Sequence, residues 1–229
     1  RGAQLYILDG AGLLLVFAEY AQHAVAVLDC CRGVMLILGS NMKKKRPGTV
    51  RIIGGKWRGT RLPVPDSPGL RPSGDRGRET LFNWLQADIH GATCADLFAG
   101  SGVLGLEAAS RGAAQVTLIE KSGVAAGVLR ESLQKLGAGQ VRVVQADAIE
   151  WLAACDPRSL DIVFIDPPFS SGLQSRAIEL LTEGDCVKKG GLVYLETPRE
   201  LPAPAPPPGW EISREKLLGE VRIQLLKKI

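Results

Sequence analysis

From residue 94 onwards, short apolar runs alternate with stretches whose apolar residues recur at helical spacing. The runs predict buried strands at 94–98, 115–119, 141–145, 160–165 and 192–196. The helical spacing predicts a helix that includes Leu104, Ala108 and Arg111 and stops at Gly112, and further helices at 79–85, 122–136, 148–154 and 173–181. Strands that alternate with helices along the chain are typical of a parallel, doubly wound α/β sheet.

Two segments outside this alternation predict hairpins. Residues 50–64 predict a two-stranded ribbon that bends at its glycines, and residues 210–216 and 221–226 predict a closing hairpin. Residues 198–208 contain six prolines, which exclude a helix or a central strand and predict a stiff surface connection.

Residues 1–41 stand apart from this pattern. Their longest apolar run is far shorter than the roughly 18 residues that a membrane-spanning helix needs. They also lack the basic start of a secretory signal. We therefore expect no membrane partner, and we interpret residues 1–41 as a poorly specified extension or an over-extended start before Met42. The remaining chain divides into a basic segment at 42–90 and an α/β domain at 91–229.

The composition is that of an ordinary globular protein, with 45% hydrophobic and 23% charged residues. The net charge of +4 is unevenly distributed, because residues 42–90 contain eleven Lys or Arg and four Asp or Glu. A basic segment beside an acidic body favours a polyanionic partner, although a basic run is more often a solvated surface. Trp57 stands among these cations, where it either stacks on a base or belongs to the hairpin core.

The cysteines and histidines indicate no metal centre. The five cysteines lack metal-ligand spacing, and the chain has only two histidines. We expect reduced thiols, as in the cytoplasm, and no bound metal.

Asp166-Pro167-Pro168-Phe169 is the most informative stretch. It follows the predicted strand at 160–165, and proline cannot continue a central strand. The chain must therefore turn at the carboxyl end of the sheet, where open α/β folds bind their ligands. A carboxylate, a rigid carbonyl and an aromatic ring at that place can bind the amino group and the face of a nucleobase. The alternative is a solvated Asp-Pro loop.

A second motif follows the first predicted strand of the domain. Gly100, Gly102 and Gly105 have the spacing of a dinucleotide-binding loop at the start of a helix. Glu120 ends the next strand, where a carboxylate can bind ribose hydroxyls. These features indicate a nucleoside cofactor without choosing between NAD and S-adenosylmethionine.

Two further acids favour S-adenosylmethionine. NAD needs a helix N-terminus that accepts a pyrophosphate, whereas a sulfonium and an amino-acid head suit carboxylates. Asp96 lies just before the glycine loop, and Asp147 follows the third strand, where it can meet an adenine amino group. Asp147 can also cap the helix that follows it.

These motifs resemble those of the class I S-adenosylmethionine-dependent methyltransferases that methylate amino groups. Residues 51–62 and 71–85 are similar to the N-terminal signature of the bacterial RsmD-type methyltransferases, which methylate N2 of a guanine in 16S rRNA. The resemblance covers residues 51–226. Ser73 replaces the usual Thr of the family, and Gly77 replaces a bulkier residue, which loosens the first turn of a helix.

The resemblance implies a Rossmann-like fold with a mostly parallel seven-stranded sheet, helices on both faces and a small basic N-terminal extension. It implies S-adenosylmethionine as the cofactor and 16S rRNA, within a cytoplasmic small-subunit ribosomal particle, as the partner. The catalytic residues would be Asp166, Pro167, Pro168 and Phe169. The cofactor-binding residues would be Asp96, Phe98, Gly100, Ser101, Gly102, Glu120, Lys121, Asp147 and Ala148.

The basic segment contains the candidates for RNA contacts, which are Lys56, Arg58, Arg61, Arg71, Arg76 and Arg78. Arg76 or Arg78 could instead pair with Asp75 or Glu79 on a helix surface.

Three alternatives to a guanine methyltransferase stay open. The first is an enzyme that methylates another amino group, in adenine or in a protein glutamine. The second is an NAD-linked oxidoreductase, and the third is an RNA-binding module without catalysis.

Overall fold

A computed structural model shows the fold. It describes residues 48–64, 75–168, 172–202 and 204–229, together with the backbone of four short strands that precede them. The chain divides into two compact units, Arg1–Arg46 and Pro47–Ile229. The domain boundaries expected from the sequence, at 41/42 and 90/91, stay predictions.

The first unit contains two antiparallel hairpins. Strand β1 (Tyr6–Leu8) pairs with β2 (Gly12–Leu14), and β3 (Ala24–Asp29) pairs with β4 (Val34–Gly39). The sequence pattern predicted no strands in this part of the chain.

The second unit is an α/β structure. Its elements, in chain order, are β5 (Thr49–Arg51), β6 (Arg61–Pro63), α1 (Asp75–Trp84), β7 (Thr93–Asp96), α2 (Val103–Ser110), β8 (Gln115–Glu120), α3 (Gly123–Leu136), β9 (Val141–Gln145), α4 (Ala148–Ala153), β10 (Leu160–Ile165), α5 (Leu173–Glu183), β11 (Val187–Pro198), β12 (Trp210–Leu218) and β13 (Val221–Lys228).

Seven of these strands form one sheet in the order β12-β13-β11-β10-β7-β8-β9. The five strands from β11 to β9 run parallel, and β13 is antiparallel to both of its neighbours. Strands β5 and β6 form the separate N-terminal ribbon. The predicted Rossmann-like sheet is therefore confirmed.

Helices cover both faces of the sheet because side chains alternate along the central strands. In β10, Ile162 and Phe164 belong to the core cluster that includes residues of α1, α2 and α3. Val163 and Ile165 belong to the opposite cluster, which includes residues of α4 and α5. Both faces of the strand are buried, which explains its continuous apolar run.

Local signals set the helix boundaries. Ser122 Oγ accepts a hydrogen bond from Ala125 N and so caps α3, and Gly137 ends that helix with φ +60°. Asp147 caps α4 by accepting a hydrogen bond from Ile149 N. Both ends of α3 and the start of α4 match the sequence prediction.

Helix α1 and strand β11 begin four or more residues before the positions that the pattern predicted. Helix α1 begins at Asp75 rather than at residue 79, and it tolerates Gly77, where a Cβ would lie 4.0 Å from Leu218 Cδ1. Strand β11 begins at Val187 rather than at residue 192, because its pairing with β10 contains a register shift that accommodates Gly190 and Gly191.

The structure settles the two interpretations of Trp57. Its side chain is 7% exposed and lies in the core, and its backbone N donates to Ser110 Oγ. The base-stacking interpretation was therefore wrong. Among the described helices, none is long and apolar enough to cross a membrane.

Candidate active site

The glycine loop joins β7 to α2 at the carboxyl end of the sheet. Gly102 has φ +73°, and a Cβ on it would lie 2.5 Å from Leu129 Cδ2. A Cβ on Gly105 would lie 2.3 Å from Leu118 Cδ2. Glycine is therefore needed at position 102 for a left-handed turn and at position 105 for close packing of α2 on β8.

Glu120 fastens this loop to the next strand end. Its Oε2 accepts a hydrogen bond from Gly100 N at 2.9 Å, and its Oε1 accepts one from Ser122 N at 2.7 Å. A carboxylate offers about four acceptor positions. These two backbone bonds are therefore compatible with further bonds from ribose hydroxyls.

Asp96 lies deeper than the sequence suggested. Its side chain is 2% exposed, and its Oδ2 accepts a hydrogen bond from Gly105 N at 3.1 Å. Burial raises the pKa of this carboxyl to about 7, although hydrogen bonds from the backbone of Gly105 and Phe98 oppose the shift. Asp96 thus holds the glycine loop in shape, and its contact with the amino-acid head of a cofactor stays a prediction.

Asp147 follows β9 at the same edge. Its Oδ1 caps α4, and its Oδ2 accepts a hydrogen bond from Lys121 Nζ at 3.0 Å. The Lys121 ammonium and the Ile149 N–H lower the pKa of this carboxyl. Asp147 is therefore held as an anion whose orientation is fixed on two sides.

The other predicted cofactor residues also lie around this loop. Ser101 is buried, with 6% of its surface exposed. Phe98 and Ala148 belong to the apolar cluster that α4 covers. They can shape the walls of a nucleoside site.

The Asp166 turn begins where β10 ends at Ile165, as the two prolines predicted. Asp166 is partly exposed, Pro167 is buried and Pro168 is exposed. Phe169 lies outside the described residues, so its predicted role stays a prediction.

The turn and the glycine loop share one edge of the sheet. Strands β10 and β7 are parallel neighbours, with Phe164 level with Asp96. Leu97 N, directly after β7, donates a hydrogen bond to Phe164 O of β10 at 3.1 Å, just before the two segments diverge. Asp166 therefore emerges beside the strand that leads into the glycine loop.

Glu196 is an acid at this edge that the sequence analysis did not select. It lies near the end of β11, the other parallel neighbour of β10, and its Oε2 accepts a hydrogen bond from Tyr194 Oη at 2.9 Å. The signal was available, since an acid at the carboxyl end of a parallel strand had already singled out Glu120.

Four of the predicted RNA contacts have exposed side chains, namely Lys56, Arg58, Arg61 and Arg76. Lys56 N donates to Ser110 O at the C-terminal end of α2, so Lys56 and the glycine loop lie at opposite ends of that helix. Arg76 is in the first turn of α1, next to Gly77 and hence near Leu218 at the carboxyl edge. Arg71 lies outside the described residues.

The prediction that Arg78 contacts RNA was wrong, because its side chain is 0% exposed and cannot reach a phosphate. Its Nη1 donates to Arg51 O at 2.8 Å, and its Nη2 donates to Asp75 Oδ1 at 2.5 Å. The buried Glu107 of α2 lies 3.9 Å from Nη1.

Glu107 completes the buried network around Arg78. It also accepts hydrogen bonds from Ile53 N and from Arg111 Nε, each at 2.7 Å. Arg78 and Glu107 together join the ribbon, α1 and α2.

Comparison with known proteins identifies a family model and several relatives. The model described as conserved hypothetical protein 95 matches residues 50–227. Ribosomal RNA small subunit methyltransferase D of Escherichia coli (strain K12) is 49% identical over 181 residues, which are 79% of this chain and 91% of the relative. The protein of the same name from Haemophilus influenzae is 44% identical over 78% of this chain and 93% of its own. The solved structure of the Escherichia coli protein yhhF has a TM-score of 0.73 and 46% identity, and it covers 79% of this chain and 98% of its own.

Proposed function

Because the chain belongs to the RsmD-type family that the conserved hypothetical protein 95 model describes, we propose that it transfers a methyl group from S-adenosylmethionine to N2 of a guanine in 16S rRNA. One observation carries this proposal. The Asp166 turn at the end of β10 and the glycine loop at the end of β7 lie side by side on one edge of the sheet. A cofactor at the loop and a base at the turn would therefore be neighbours.

The donor set fits S-adenosylmethionine. Glu120 would bind the ribose hydroxyls and Asp147 the adenine amino group, and backbone N–H groups already orient both carboxylates. Glu120 would suit the ribose of NAD as well, so membership of a methyltransferase family is what favours S-adenosylmethionine. Bound S-adenosylmethionine would supply an electrophilic methyl group on its sulfonium.

Asp166 prepares the acceptor amine. The N2 lone pair of guanine is delocalised into the ring, so the amine is a weak nucleophile. Asp166 and the carbonyl of Pro167 accept hydrogen bonds from the two N–H groups of the amine and orient its lone pair towards the methyl group. As the new N–C bond forms, the amine becomes acidic, and Asp166 can accept the proton that leaves it. Pro168 keeps the turn rigid, and Phe169 stacks on the base.

The basic residues bind the RNA backbone around this site. Arg76 lies near the catalytic edge, whereas Lys56 lies at the far end of α2, about 12 Å along the helix axis from the loop. A spread of cations over such a distance suits an extended polyanion rather than a single nucleotide. The substrate is 16S rRNA within a small-subunit particle in the cytoplasm.

A methyl-transfer assay tests this function. The purified protein is given S-adenosylmethionine with a labelled methyl group, together with small-subunit particles or free 16S rRNA from cells that lack this gene. We expect label in 16S rRNA, recovered as N2-methylguanosine after digestion to nucleosides, with particles labelled faster than free RNA. Label in N6-methyladenosine, or RNA that binds without accepting label, would reject the proposal. A rise in melting temperature with S-adenosylhomocysteine but not with NAD confirms the cofactor class.

A further inference from the structure

Glu196 and Tyr194 form a fixed pair beside Asp166. Strands β10 and β11 are parallel neighbours in which Phe164 is level with Tyr194 and Ile165 with Leu195. The next residues along the two strands are Asp166 and Glu196. The two carboxylates therefore start from adjacent backbone positions at the catalytic edge.

Tyr194 fixes the direction of the Glu196 side chain. The tyrosine is 1% exposed, and its ring packs edge-on against Phe164 with 6.5 Å between the ring centroids. Its hydroxyl donates to Glu196 Oε2 at 2.9 Å. The backbone of Glu196 is held as well, because its carbonyl accepts a hydrogen bond from Gln174 Nε2 of α5 at 3.1 Å.

The charges of both carboxylates influence the Tyr194 hydroxyl. Burial, followed by the negative charges of Glu196 and Asp166, raises the pKa of Tyr194 well above its ordinary value. The phenol therefore stays protonated and keeps donating to Glu196. A carboxylate offers about four acceptor positions, so this bond is compatible with another from a ligand.

Guanine has two neighbouring hydrogen-bond donors that such a pair of carboxylates could bind. Its Watson–Crick edge presents the N1–H next to the N2 amino group, whereas N1 of adenine is an unprotonated acceptor that a carboxylate repels. With Asp166 occupied by the amino group, the neighbouring N1–H needs an acceptor of its own. Building on the proposed function, we propose that Glu196 accepts the N1–H of the target guanine and so determines the specificity of the enzyme for guanine.

A comparison of two substrate bases, guanine and 2,6-diaminopurine, separates recognition of the N1–H from methyl transfer itself. 2,6-Diaminopurine keeps the 2-amino group but has an acceptor at N1. A 16S rRNA with this base at the target position, made by ligation and assembled into small-subunit particles, is compared with the guanine form. We expect the wild-type protein to methylate the diaminopurine form about 10- to 100-fold more slowly, because an unmatched buried hydrogen-bonding group costs about 1–3 kcal/mol.

The Glu196→Gln variant then tests the residue. Its amide oxygen can still accept the bond from Tyr194, so a purely supporting role for Glu196 is preserved. Its amide NH₂ can donate to N1 of diaminopurine, which a carboxylate cannot do. We expect the ratio of diaminopurine to guanine kcat/KM to rise at least about tenfold, the effect of roughly 1.4 kcal/mol.

Two further variants control for folding and for a general loss of charge. Tyr194→Phe keeps the ring but removes the bond to Glu196, and it should lower kcat/KM on guanine while cofactor binding stays unchanged. Glu179→Gln changes an exposed glutamate of α5 and should leave the base preference as it is.

Three results would count against the inference. Equal wild-type rates on the two bases would overturn it and leave the proposed function intact. A wild-type preference for guanine over diaminopurine that Glu196→Gln does not alter would also overturn it, because another residue would then accept the N1–H. A wild-type protein that does not methylate the guanine form would overturn both proposals.

Discussion

The two halves of the catalytic edge are organised differently. At the ends of β7, β8 and β9, the carboxylates bind backbone N–H groups, as Glu120 does with Gly100 N and Ser122 N. At the ends of β10 and β11, Glu196 is held by the side chain of Tyr194, and prolines form the turn after Asp166. A bond to the backbone survives substitution of the donor residue, whereas a bond to a side chain does not. The residues that donate to Glu120 can therefore be substituted without loss of these bonds, whereas the bond from Tyr194 to Glu196 is lost with the tyrosine.

The largest expected effect separates the two halves directly. Asp166→Asn should lower kcat for methyl transfer by about 10³-fold or more, since it removes an anionic acceptor from the reacting amine. Binding of S-adenosylhomocysteine should change less than about twofold, because backbone N–H groups of Gly100, Ser122 and Ile149 hold Glu120 and Asp147. Calorimetry and a single-turnover assay measure the two quantities. Asp156→Asn, at an exposed position, is the control, and an unchanged kcat in Asp166→Asn would refute the role of this residue.

The second prediction concerns the buried network that joins the ribbon, α1 and α2. Arg78→Met should lower the free energy of unfolding by about 3–5 kcal/mol, because it removes the charge-assisted hydrogen bonds that the buried guanidinium donates to Arg51 O and Asp75 Oδ1. Arg76→Met, two residues earlier on an exposed surface, should leave stability within about 0.5 kcal/mol. It should instead weaken RNA binding and flatten its salt dependence. Denaturant unfolding and RNA titration at several salt concentrations measure both variants, and equal losses of stability would contradict the distinction.

The third prediction probes the cofactor half through pH. The pKa of Asp96 in the folded protein is about 7, above its ordinary value of 3.8, so the folded state binds this proton more tightly than the unfolded state. The stability that this proton contributes is present at low pH and is lost as the pH rises through 7. Between pH 5 and pH 8 the loss should be on the order of 2–3 kcal/mol.

Asp96→Asn should remove this part of the pH dependence. Urea unfolding of both proteins at four pH values gives the difference, which cancels the contributions of other groups. Parallel curves for the two proteins would show that Asp96 does not titrate in this range.

The smallest expected effect tests close packing behind the glycine loop. Gly105→Ala should cost about 1–3 kcal/mol, because the new Cβ would lie 2.3 Å from Leu118 Cδ2. Gly127→Ala in α3 is the matched control, since no atom lies within 4 Å of its Cβ position, and it should stabilise the protein by about 0.5–1 kcal/mol. Thermal unfolding with and without S-adenosylhomocysteine measures both. Similar melting temperatures for the two variants would be inconsistent with this packing.

The fold could be predicted largely because its signals are local. Ser122 and Gly137 mark the ends of α3 in the sequence itself, and the apolar run of β10 marks a strand that is buried on both faces. The start of β11 was missed because residues 187–191 contain two glycines and two lysines, which are more typical of a loop than of a strand.

The site could be predicted only in part, because several roles depend on partners far along the chain. Arg78 is a residue type that often contacts RNA, and its burial, with bonds to Arg51 O, 27 positions earlier, and to Asp75, shows that it is structural. Glu107 itself carried a signal, as a single acid in the otherwise uncharged α2. Asp96 had the right residue type and position, but its depth depends on how closely α2 packs over it.

The buried ion pair between Arg78 and Glu107 limits how this protein can be cut or recombined. A shortened chain that began at residue 91 would keep every proposed catalytic and cofactor residue, yet the buried Glu107 would lose Arg78 and the backbone N–H of Ile53 and would keep Arg111 as a partner. Grafting the basic segment onto another methyltransferase would bury Arg78 without Glu107, unless the host supplied an acid at the corresponding turn of its helix. The basic segment and the domain that carries the proposed site are therefore joined by buried contacts as well as by the chain.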